Sequence, residues 1–371
     1  MSENIIIHGD SIKELMKMAP NSVDLIFADP PYWMRTEGEL TRVEGTRFNG
    51  CDDSWDKFNS LKDYESFTRE WLSSCRRVLK PNGSIWVIGS MQCIYTIGAI
   101  MQELDYWFVN DVIWHKRNPA PNFMGTRLNN SHETLIWATK SKSSKFTFNY
   151  KTAKELNTDT ISVDDFKQGR RKQLGSVWSI SLCTGSERLK DDAGNKLHNT
   201  QKPEELIKRI ILISSRQGDI VLDPFAGTMT TGAVAKKYGR KYVMIEKEEK
   251  YCHYGKIRLE NKKFEDSPIA RAKYDEKPLK VSMKEMISEK FFIEGEDFCF
   301  KDGQPVAKLL ADGKLKCNGE IIDMHSCAAK MKGVKASRLN GFDYWYVIRD
   351  GSPKSIADIR EAYRKIKTAS V

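Results

Sequence analysis

The stretch Val23-Asp24-Leu25-Ile26-Phe27-Ala28-Asp29-Pro30-Pro31-Tyr32 joins a short apolar run to a rigid polar tetrapeptide. A short apolar run bounded by turn residues is typical of a strand that is buried on both faces of a parallel sheet. Two consecutive prolines fix φ and remove two N–H donors, so a rigid loop follows the strand. We therefore predict that Asp29 lies at the carboxyl end of a parallel strand, where open α/β sheets bind ligands.

Apolar runs alternate with amphipathic stretches along most of the remaining chain, as in folds built from βα repeats. The predicted strands are Ile5–His8, Val23–Ala28, Ser84–Ile88, Asp111–His115, Leu135–Thr139, Ile220–Leu222 and Tyr242–Ile245. The predicted helices are Ser11–Met18, Asp63–Leu79, Ile94–Glu103, Lys202–Ile213, Thr230–Tyr238 and Glu249–Lys262. Together they predict an α/β fold with a doubly wound, mostly parallel sheet.

Two long segments lack this alternation, and insertions of such length in a compact domain usually carry function. They are Trp33–Asn59 and Asn118–Leu197. Beyond Phe264 the chain changes to short alternating segments separated by glycine turns. We predict a main domain over 1–264 with insertions at 33–59 and 118–197, a linker over 265–282, and a small β-containing domain over 283–371.

The composition predicts a soluble protein of the cytoplasm. Hydrophobic residues make up 40% of the 371 positions and the mean hydropathy is −0.54. No apolar run approaches the roughly 20 residues that a membrane-spanning helix needs, and the first residues do not resemble a secretion signal. Eight scattered cysteines without a C-x-x-C pair, and six histidines without ligand spacing, predict reduced thiols and no metal site.

The net charge of +10 is concentrated in one part of the chain. Between Ile113 and Gln173, twelve Lys and Arg residues stand against five acidic residues, and aromatic residues are interleaved with them. This combination favours contact with nucleic acid. A solvated surface loop is the alternative interpretation.

The carboxylate of Asp29 and the carbonyl of Pro30 suit one kind of substrate. The exocyclic amine of a nucleobase is a poor nucleophile, because its lone pair is delocalised into the ring. Two acceptors for its N–H groups would favour a pyramidal nitrogen and free the lone pair for attack. Tyr32 supplies a face on which an extruded base can stack. An ordinary Asp-Pro turn with a packed tyrosine is the alternative.

A second motif, VLDPFAGTMTTG, runs from Val221 to Gly232. It predicts a strand, a small-residue turn that a ligand can approach closely, and a helix. Glu246 follows Gly227 by nineteen residues, at the end of the next apolar strand, and is placed to bind ribose hydroxyls. A dinucleotide site is the competing interpretation, and the missing G-x-G-x-x-G fingerprint counts against it.

The order of these two motifs resembles the β arrangement of amino-group DNA methyltransferases, in which the catalytic motif precedes the S-adenosylmethionine motif. The chain is similar to the adenine-N6 methyltransferases of the GANTC-specific group, both the cell-cycle-regulated type and the type paired with restriction enzymes. The matching stretches are IIHGDS (6–11), VDLIFADPPY (23–32), GSIWVIGS (83–90), NDVIWHKRNPAPNF (110–123), HETLIWA (132–138), TQKPE (200–204), VLDPFAGTMTTG (221–232) and NGFDYW (340–345). The resemblance covers essentially the whole chain.

The resemblance implies roles for individual residues. The catalytic residues around the flipped adenine would be Asp29, Pro30, Pro31 and Tyr32. The residues that would bind S-adenosylmethionine are Asp10, Thr200, Gln201, Lys202, Asp223, Phe225, Ala226, Gly227, Thr228 and Glu246. The residues that would contact DNA are Leu40, Arg42, Trp55, Asn122 and Arg127. Among the cofactor residues, Thr200, Gln201 and Lys202 would hold the carboxylate. Glu246 would hold the ribose, and Asp10 would lie near the adenine of the cofactor.

Several of these residues have a structural alternative. Leu40 or Trp55 could pack into a hinge, and the arginines could form surface ion pairs. Lys202-Pro203 could start an ordinary surface helix, although a helix N-terminus also attracts a carboxylate. His132, beside Glu133, is interpreted as a loop-positioning residue.

One residue departs from the family pattern. Met229 stands where the family usually has the second glycine of F-x-G-x-G. If this position requires a positive φ or a close approach of the backbone, a methionine is costly there. The departure puts the affinity for the cofactor in doubt more than the fold.

The sequence thus predicts an S-adenosylmethionine-dependent enzyme that flips adenine out of DNA and methylates N6 by in-line displacement, without a metal, in GANTC. Cytosine-N4 methylation is the nearest alternative, although those enzymes often carry serine at the position of Asp29. A DNA-binding protein with catalysis impaired by Met229, and a nicotinamide dehydrogenase, are the alternatives from other classes. The resemblance also implies a bacterial homodimer that associates with the nucleoid on DNA, a C-terminal domain that aids DNA binding and, in restriction-modification systems, a cognate endonuclease.

Overall fold

A computed structural model describes residues 4–34, 40–41, 47–48, 56–121, 127–158 and 162–369. The chain divides into two compact units, Met1–Glu276 and Lys277–Val371. Residues 265–276 were predicted to belong to the linker, but they are part of the first unit. Ala270 is fully buried there, and its carbonyl accepts a hydrogen bond from Arg240.

The first unit alternates strands and helices along the chain. Its strands are β1 (Ile5–His8), β2 (Val23–Ala28), β3 (Leu40–Thr41), β4 (Arg47–Phe48), β5 (Leu79–Gly89), β6 (Trp107–Lys116), β7 (His132–Thr139), β8 (Val177–Ile180), β9 (Ile220–Asp223) and β10 (Lys241–Glu246). Its helices are α1 (Ser11–Lys17), α2 (Leu61–Val78), α3 (Ile94–Glu103), α4 (Tyr150–Glu155), α5 (Val163–Lys167), α6 (Glu204–Ser214), α7 (Thr230–Lys237) and α8 (Glu249–Asn261).

Eight of these strands form one sheet in the order β1-β10-β9-β2-β5-β7-β6-β8. Every neighbouring pair is parallel except those of β7, which runs antiparallel to both β5 and β6. The late strands β9 and β10 lie between β1 and β2, so motifs that are far apart in the sequence end at the same edge. Because β7 runs antiparallel to its neighbours, the first residues of β7 also lie at this edge.

Alternate residues of the central strands face opposite sides of the sheet. In β2, Leu25 and Phe27 belong to the core beneath α6 and α7, whereas Val23, Ile26 and Ala28 belong to the core beneath α1, α2 and α3. All five side chains are at most 1% exposed, and full burial of a large apolar side chain contributes about 1.5–3 kcal/mol. Helices therefore cover both faces, and the predicted doubly wound, mostly parallel sheet is confirmed.

The differences from the predicted elements have local causes. The strand predicted over Ser84–Ile88 begins earlier in β5, and its pairing with β2 shifts register at Lys80-Pro81-Asn82-Gly83, where proline and glycine interrupt the regular pairing. The segment 118–197, predicted to be mostly irregular beyond its first strand, also contains β8, α4 and α5. β8 has only four residues and its first, Val177, is 54% exposed, so it lacks the continuous apolar run that marks the central strands.

The second unit is a small domain of helices and one antiparallel sheet. The predicted fold class, with a small β-containing domain at the C-terminal side, is therefore confirmed. Its antiparallel sheet has the order β14-β13-β12-β11-β15-β16. The strands are β11 (Asp297–Cys299), β12 (Pro305–Leu309), β13 (Leu315–Cys317), β14 (Glu320–Ile322), β15 (Tyr346–Arg349) and β16 (Ser352–Ser355), and the helices are α9 (Met283–Ser288), α10 (Met324–Lys332) and α11 (Ile356–Ala369). Trp345 is fully buried in its core and stacks on Phe300.

Met229 lies at the start of α7 with φ 61° and ψ 30°, in the left-handed region that favours glycine. The conformational cost is about 1–2 kcal/mol for a residue with a Cβ. The side chain is fully buried and packs against α8, where a Cβ on Gly255 would lie 2.2 Å from the Met229 Cγ. Burial of the methionine offsets the backbone cost, and Gly255 provides the space for it.

Gly255→Ala should destabilise the protein by about 1–3 kcal/mol, because the new methyl group overlaps the Met229 side chain. In Met229→Gly/Gly255→Ala the loss should be smaller than the sum of the two single losses. Thermal unfolding of the four proteins measures this. Gly175→Ala is the matched control, because a Cβ on Gly175 would meet nothing within 4 Å; strictly additive losses at 229 and 255 would contradict the interpretation.

Candidate active site

A cavity of about 580 Å³ opens at the carboxyl ends of β1, β2, β9 and β10. The structure brings all the predicted catalytic and cofactor residues to its wall. They are Asp10, Asp29, Pro30, Pro31, Tyr32, Thr200, Gln201, Lys202, Asp223, Phe225, Ala226, Gly227, Thr228 and Glu246. Cavities of this size accommodate a cofactor-sized ligand.

Strand pairing accounts for this convergence. Ile26 of β2 pairs with Leu222 of β9, so Asp29 and Asp223 leave the sheet at the same edge. β10 adds Glu246, whose carbonyl accepts a hydrogen bond from the backbone N–H of Gly9 after β1. Residues from four strands therefore surround one cavity.

Asp29 has a donor on each carboxylate oxygen. The Tyr32 hydroxyl lies 3.0 Å from Oδ1, and the Lys202 ammonium lies 2.7 Å from Oδ2. Lys202 is 7% exposed and also lies 5.1 Å from the centre of the Tyr32 ring. The lysine that was predicted to bind the cofactor carboxylate thus forms an ion pair with the predicted catalytic aspartate in this structure.

Glu133 and Lys116 complete a buried cluster that the sequence interpretation missed. Glu133 Oε2 lies 3.0 Å from the Tyr32 hydroxyl, and its Oε1 lies 2.7 Å from the Lys116 ammonium. Both residues lie at the cavity edge because β6 ends there and the antiparallel β7 begins there. A charged residue inside the apolar stretch HETLIWA was the available signal. The neighbouring His132 is the exposed first residue of β7.

Burial and charge set the protonation of this cluster. Burial raises the pKa of Asp29, and Lys202 only partly counteracts it. Burial also acts to raise the pKa of Glu133, but Lys202 and Lys116 outweigh burial and hold it below the usual value. Burial and the two carboxylates raise the pKa of Tyr32 well above its usual value. Glu133 is therefore ionised, Tyr32 keeps its proton, and Asp29 is the more basic of the two carboxylates.

Two further carboxylates line the same cavity. Asp223 accepts hydrogen bonds from the Thr231 hydroxyl at 2.6 Å and from the Phe225 backbone N–H at 3.0 Å. Glu246 accepts from the backbone N–H of Gly227 at 2.7 Å. Burial raises the pKa of Asp223 to about 7 and also raises that of Glu246.

The loop before α6 is fixed by its own side chains. Gln201 accepts a hydrogen bond from the Leu189 backbone N–H and donates one to the Glu187 carbonyl. His198, which the sequence interpretation did not single out, lines the cavity, and its ring packs at a tilt of 56° against the Tyr251 ring, with 4.8 Å between the ring centres. Burial, together with Lys202 and a neighbouring arginine, lowers the pKa of His198 to about 4, so the ring is neutral near pH 7.

The remaining predicted residues fall in several places. Asp10 caps the N-terminus of α1, where its side chain accepts from the Lys13 backbone N–H. Arg127 is exposed, next to Leu128 on the cavity wall. The backbone of Leu40 forms the start of β3. Three predicted DNA contacts lie outside the described residues, namely Arg42, Trp55 and Asn122.

Two features are absent from the described part of the chain, namely a metal-binding group of side chains and a membrane-spanning helix. Within that part, no three His, Cys, Asp or Glu side chains are grouped so that they could hold a metal ion. Among the helices in the same ranges, none combines the length and apolar character needed to cross a membrane.

Asp223→Asn should change how stability depends on pH. The folded protein holds the Asp223 proton up to about pH 7, whereas an unfolded aspartate releases it near its ordinary value of 3.8. The stabilising contribution of this proton is complete below about pH 4 and is lost as the pH rises through 7. The free energy of unfolding of the variant, relative to that of wild type, should therefore increase by up to a few kcal/mol when the pH is raised from 5 to 8.5. Thermal unfolding at the two pH values measures this difference.

The exposed Asp192→Asn serves as the control, because this aspartate lies outside the cavity. A difference between Asp223→Asn and wild type that is the same at both pH values would contradict the assignment of the raised pKa to Asp223.

Comparisons with known proteins agree with this geometry. A protein-family model described as DNA methylase matches residues 23–256, more than half of the chain. Type II methyltransferase M.HinfI from Haemophilus influenzae is 48% identical over 360 residues, which cover 97% of this chain and 96% of that protein. Type II methyltransferase M2.LlaDCHI from Lactococcus lactis subsp. cremoris is 41% identical over 256 residues, which cover 69% of this chain and 88% of that protein.

A solved structure shares the fold. PvuII DNA methyltransferase (cytosine-N4-specific) has a TM-score of 0.52 at 18% identity, over 74% of this chain and 94% of its own. The family match spans both the strand that carries Asp29 and the motif that follows β9. The chain belongs to the DNA methylase family of N6-adenine and N4-cytosine methyltransferases, and its methyl donor is S-adenosylmethionine.

Proposed function

We propose that this DNA methyltransferase methylates N6 of adenine in duplex DNA and that its recognition sequence is GANTC. The carboxylate of Asp29 carries the proposal, because it lines the cavity with Pro30 and Tyr32 and has the raised pKa of a good hydrogen-bond acceptor. Asp29 and the Pro30 carbonyl would accept the two N–H groups of an extruded adenine, while the Tyr32 ring stacks on the base.

The rest of the cavity suits the donor. When bound, S-adenosylmethionine supplies an electrophilic methyl group on a sulfonium, which the amine attacks in line without a covalent enzyme intermediate. Asp223 would bind the ammonium of its methionine part, and Glu246 would bind the ribose hydroxyls. The neutral ring of His198 adds no positive charge to the cavity in which the cationic cofactor would bind.

The choice of adenine and of GANTC rests on sequence. The tetrapeptide Asp29-Pro30-Pro31-Tyr32 and the stretches that resemble the GANTC-specific group support both. The 48% identity to M.HinfI over nearly the whole chain supports a Type II methyltransferase. The relatives named as Type II methyltransferases support a role in restriction-modification, with a cognate endonuclease for the same site. We extend the proposal to a homodimer in the bacterial cytoplasm, associated with the nucleoid on DNA.

Methyl transfer to defined duplexes tests this function. Labelled S-adenosylmethionine should yield N6-methyladenine in a duplex with one GANTC site, and none in a duplex with the site scrambled. Asp29→Ala should lose at least about 100-fold in kcat while still binding the cofactor. N4-methylcytosine would overturn the choice of base, and DNA binding without any methyl transfer would favour a non-catalytic DNA-binding protein.

The second unit is proposed to help hold the duplex, as the resemblance implies. The three consecutive aromatic residues Tyr344-Trp345-Tyr346 cannot all contact DNA, because Trp345 is fully buried in the core. Exposed lysines such as Lys335 are the better candidates for phosphate contacts.

A chain that ends at Glu276 should bind S-adenosylmethionine normally but show a KM for duplex DNA raised about tenfold or more. The DNA methylase family model matches residues 23–256, which all lie in the first unit, and this supports the first unit as a fold of its own. Calorimetric binding of the cofactor confirms that the shortened chain is folded, and an unchanged KM for DNA would refute the proposed role.

A further inference from the structure

The Tyr32 hydroxyl lies between two carboxylates. It is 3.0 Å from Asp29 Oδ1 and 3.0 Å from Glu133 Oε2. A phenol has one proton, so it donates to only one of these oxygens at a time. Asp29 and Glu133 therefore compete for the same hydrogen bond.

The Lys202 ammonium has the same choice of partners. It lies 2.7 Å from Asp29 Oδ2 and 3.9 Å from Glu133 Oε2, so a movement of about 1 Å would bring it into hydrogen-bond distance of Glu133. Lys116 holds the other oxygen of Glu133 at 2.7 Å. Glu133 is thus fixed from behind, with Oε2 facing both donors of Asp29.

In the arrangement described, both oxygens of Asp29 are occupied. An incoming exocyclic amine needs an acceptor, and a carboxylate that is paired with an ammonium and a phenol is a weakened one. We propose that Glu133 is a positioning residue, which takes over the Tyr32 hydroxyl and the Lys202 ammonium when the substrate amine binds to Asp29.

The exchange conserves hydrogen bonds. Tyr32 and Lys202 change from one carboxylate to the other, and the amine N–H takes the vacated position on Asp29. Lys202 keeps a carboxylate partner throughout, because Glu133 is ionised and Lys202 stays protonated. Asp29 gives up its direct ion pair, which makes its carboxylate a stronger acceptor for the amine. Without Glu133, the Tyr32 hydroxyl and the Lys202 ammonium would leave Asp29 without another carboxylate to accept their hydrogen bonds, and an unsatisfied buried donor is costly.

The electrostatics of the cavity agree with this role. The groups that face Asp29 are Lys202, Glu133, Tyr32, Asp223 and Cys93, and Lys116 lies beyond Glu133. Among them, the charge of Glu133 acts to raise the pKa of Asp29 and that of Lys202 acts to lower it. Loss of the Glu133 charge should therefore lower the pKa of Asp29.

The test is the pH dependence of single-turnover methyl transfer by the full-length enzyme. Glu133→Gln should lower the rate at least about tenfold, with the Kd for S-adenosylmethionine unchanged, and shift the acid limb of the profile to lower pH. Glu133→Asp should recover part of the rate. Glu155→Gln is the matched control, because Glu155 also forms a partly buried ion pair, with Arg171, but does not line the cavity.

Lys116→Gln provides an independent variant if Glu133→Gln does not fold. This substitution removes the positive charge beside Glu133, so the negative charge of Glu133 acts more strongly on Asp29. The acid limb of the pH profile should therefore shift to higher pH, the opposite direction from the shift expected for Glu133→Gln. Acid limbs that match wild type in the variants that fold would overturn the proposal, and a slower Glu133→Gln without a shift would indicate a structural role only.

The inference rests on the proposed methylation of an amine, but the assay separates the two. Total labelled methyl groups on DNA are counted, whichever base carries them. N4-methylcytosine from the wild-type enzyme would refute the choice of adenine and still leave the effect of Glu133 measurable. N6-methyladenine from wild type and from Glu133→Gln, with identical profiles, would refute only the role of Glu133.

Discussion

The parallel pairing of β2 with β9 is the contact on which the site depends. Leu25 pairs with Val221 and Ile26 with Leu222, between strands from distant parts of the chain. A slip of one residue would turn the side chains of a strand to the opposite face and exchange the residues of the two cores. Apolar packing on both faces therefore fixes the register, and the register fixes where Asp29 and Asp223 leave the sheet.

The buried charges at this edge are better explained by chemistry than by stability. Two carboxylates and two ammoniums, each between 7% and 19% exposed, form the cluster of Asp29, Glu133, Lys116 and Lys202. Removing such groups from water costs several kcal/mol for each ion, which the mutual attraction only partly repays. A fold stabilised by its two apolar cores can tolerate this cost at one edge, and perturbed protonation of this kind is concentrated at functional sites.

Much of this architecture could be predicted from sequence, because the central strands are apolar and each predicted catalytic or cofactor residue lies at or just after the end of a strand or shortly before a helix. Three features could not. The ion pair between Lys202 and Asp29 joins residues 173 positions apart, and local patterns carry no information about such a contact. Glu133 was overlooked because the reversed direction of β7, which brings its first residues to the cavity, is a property of the sheet. The sequence indicated only that a methionine at 229 is costly if φ is positive, and it carried no information about the direction of this side chain, which packs in the core against Gly255.

The contact between Met229 and Gly255 also restricts how this sequence can change. A side chain at 255 and the methionine at 229 cannot occupy the same space, so the acceptable residues at one position depend on the residue at the other. A variant library that samples each position separately would score most changes at 255 as harmful, although some become acceptable once 229 is small. Relatives with glycine in the cofactor loop are accordingly free to carry a side chain on the facing helix, and the two positions should vary together.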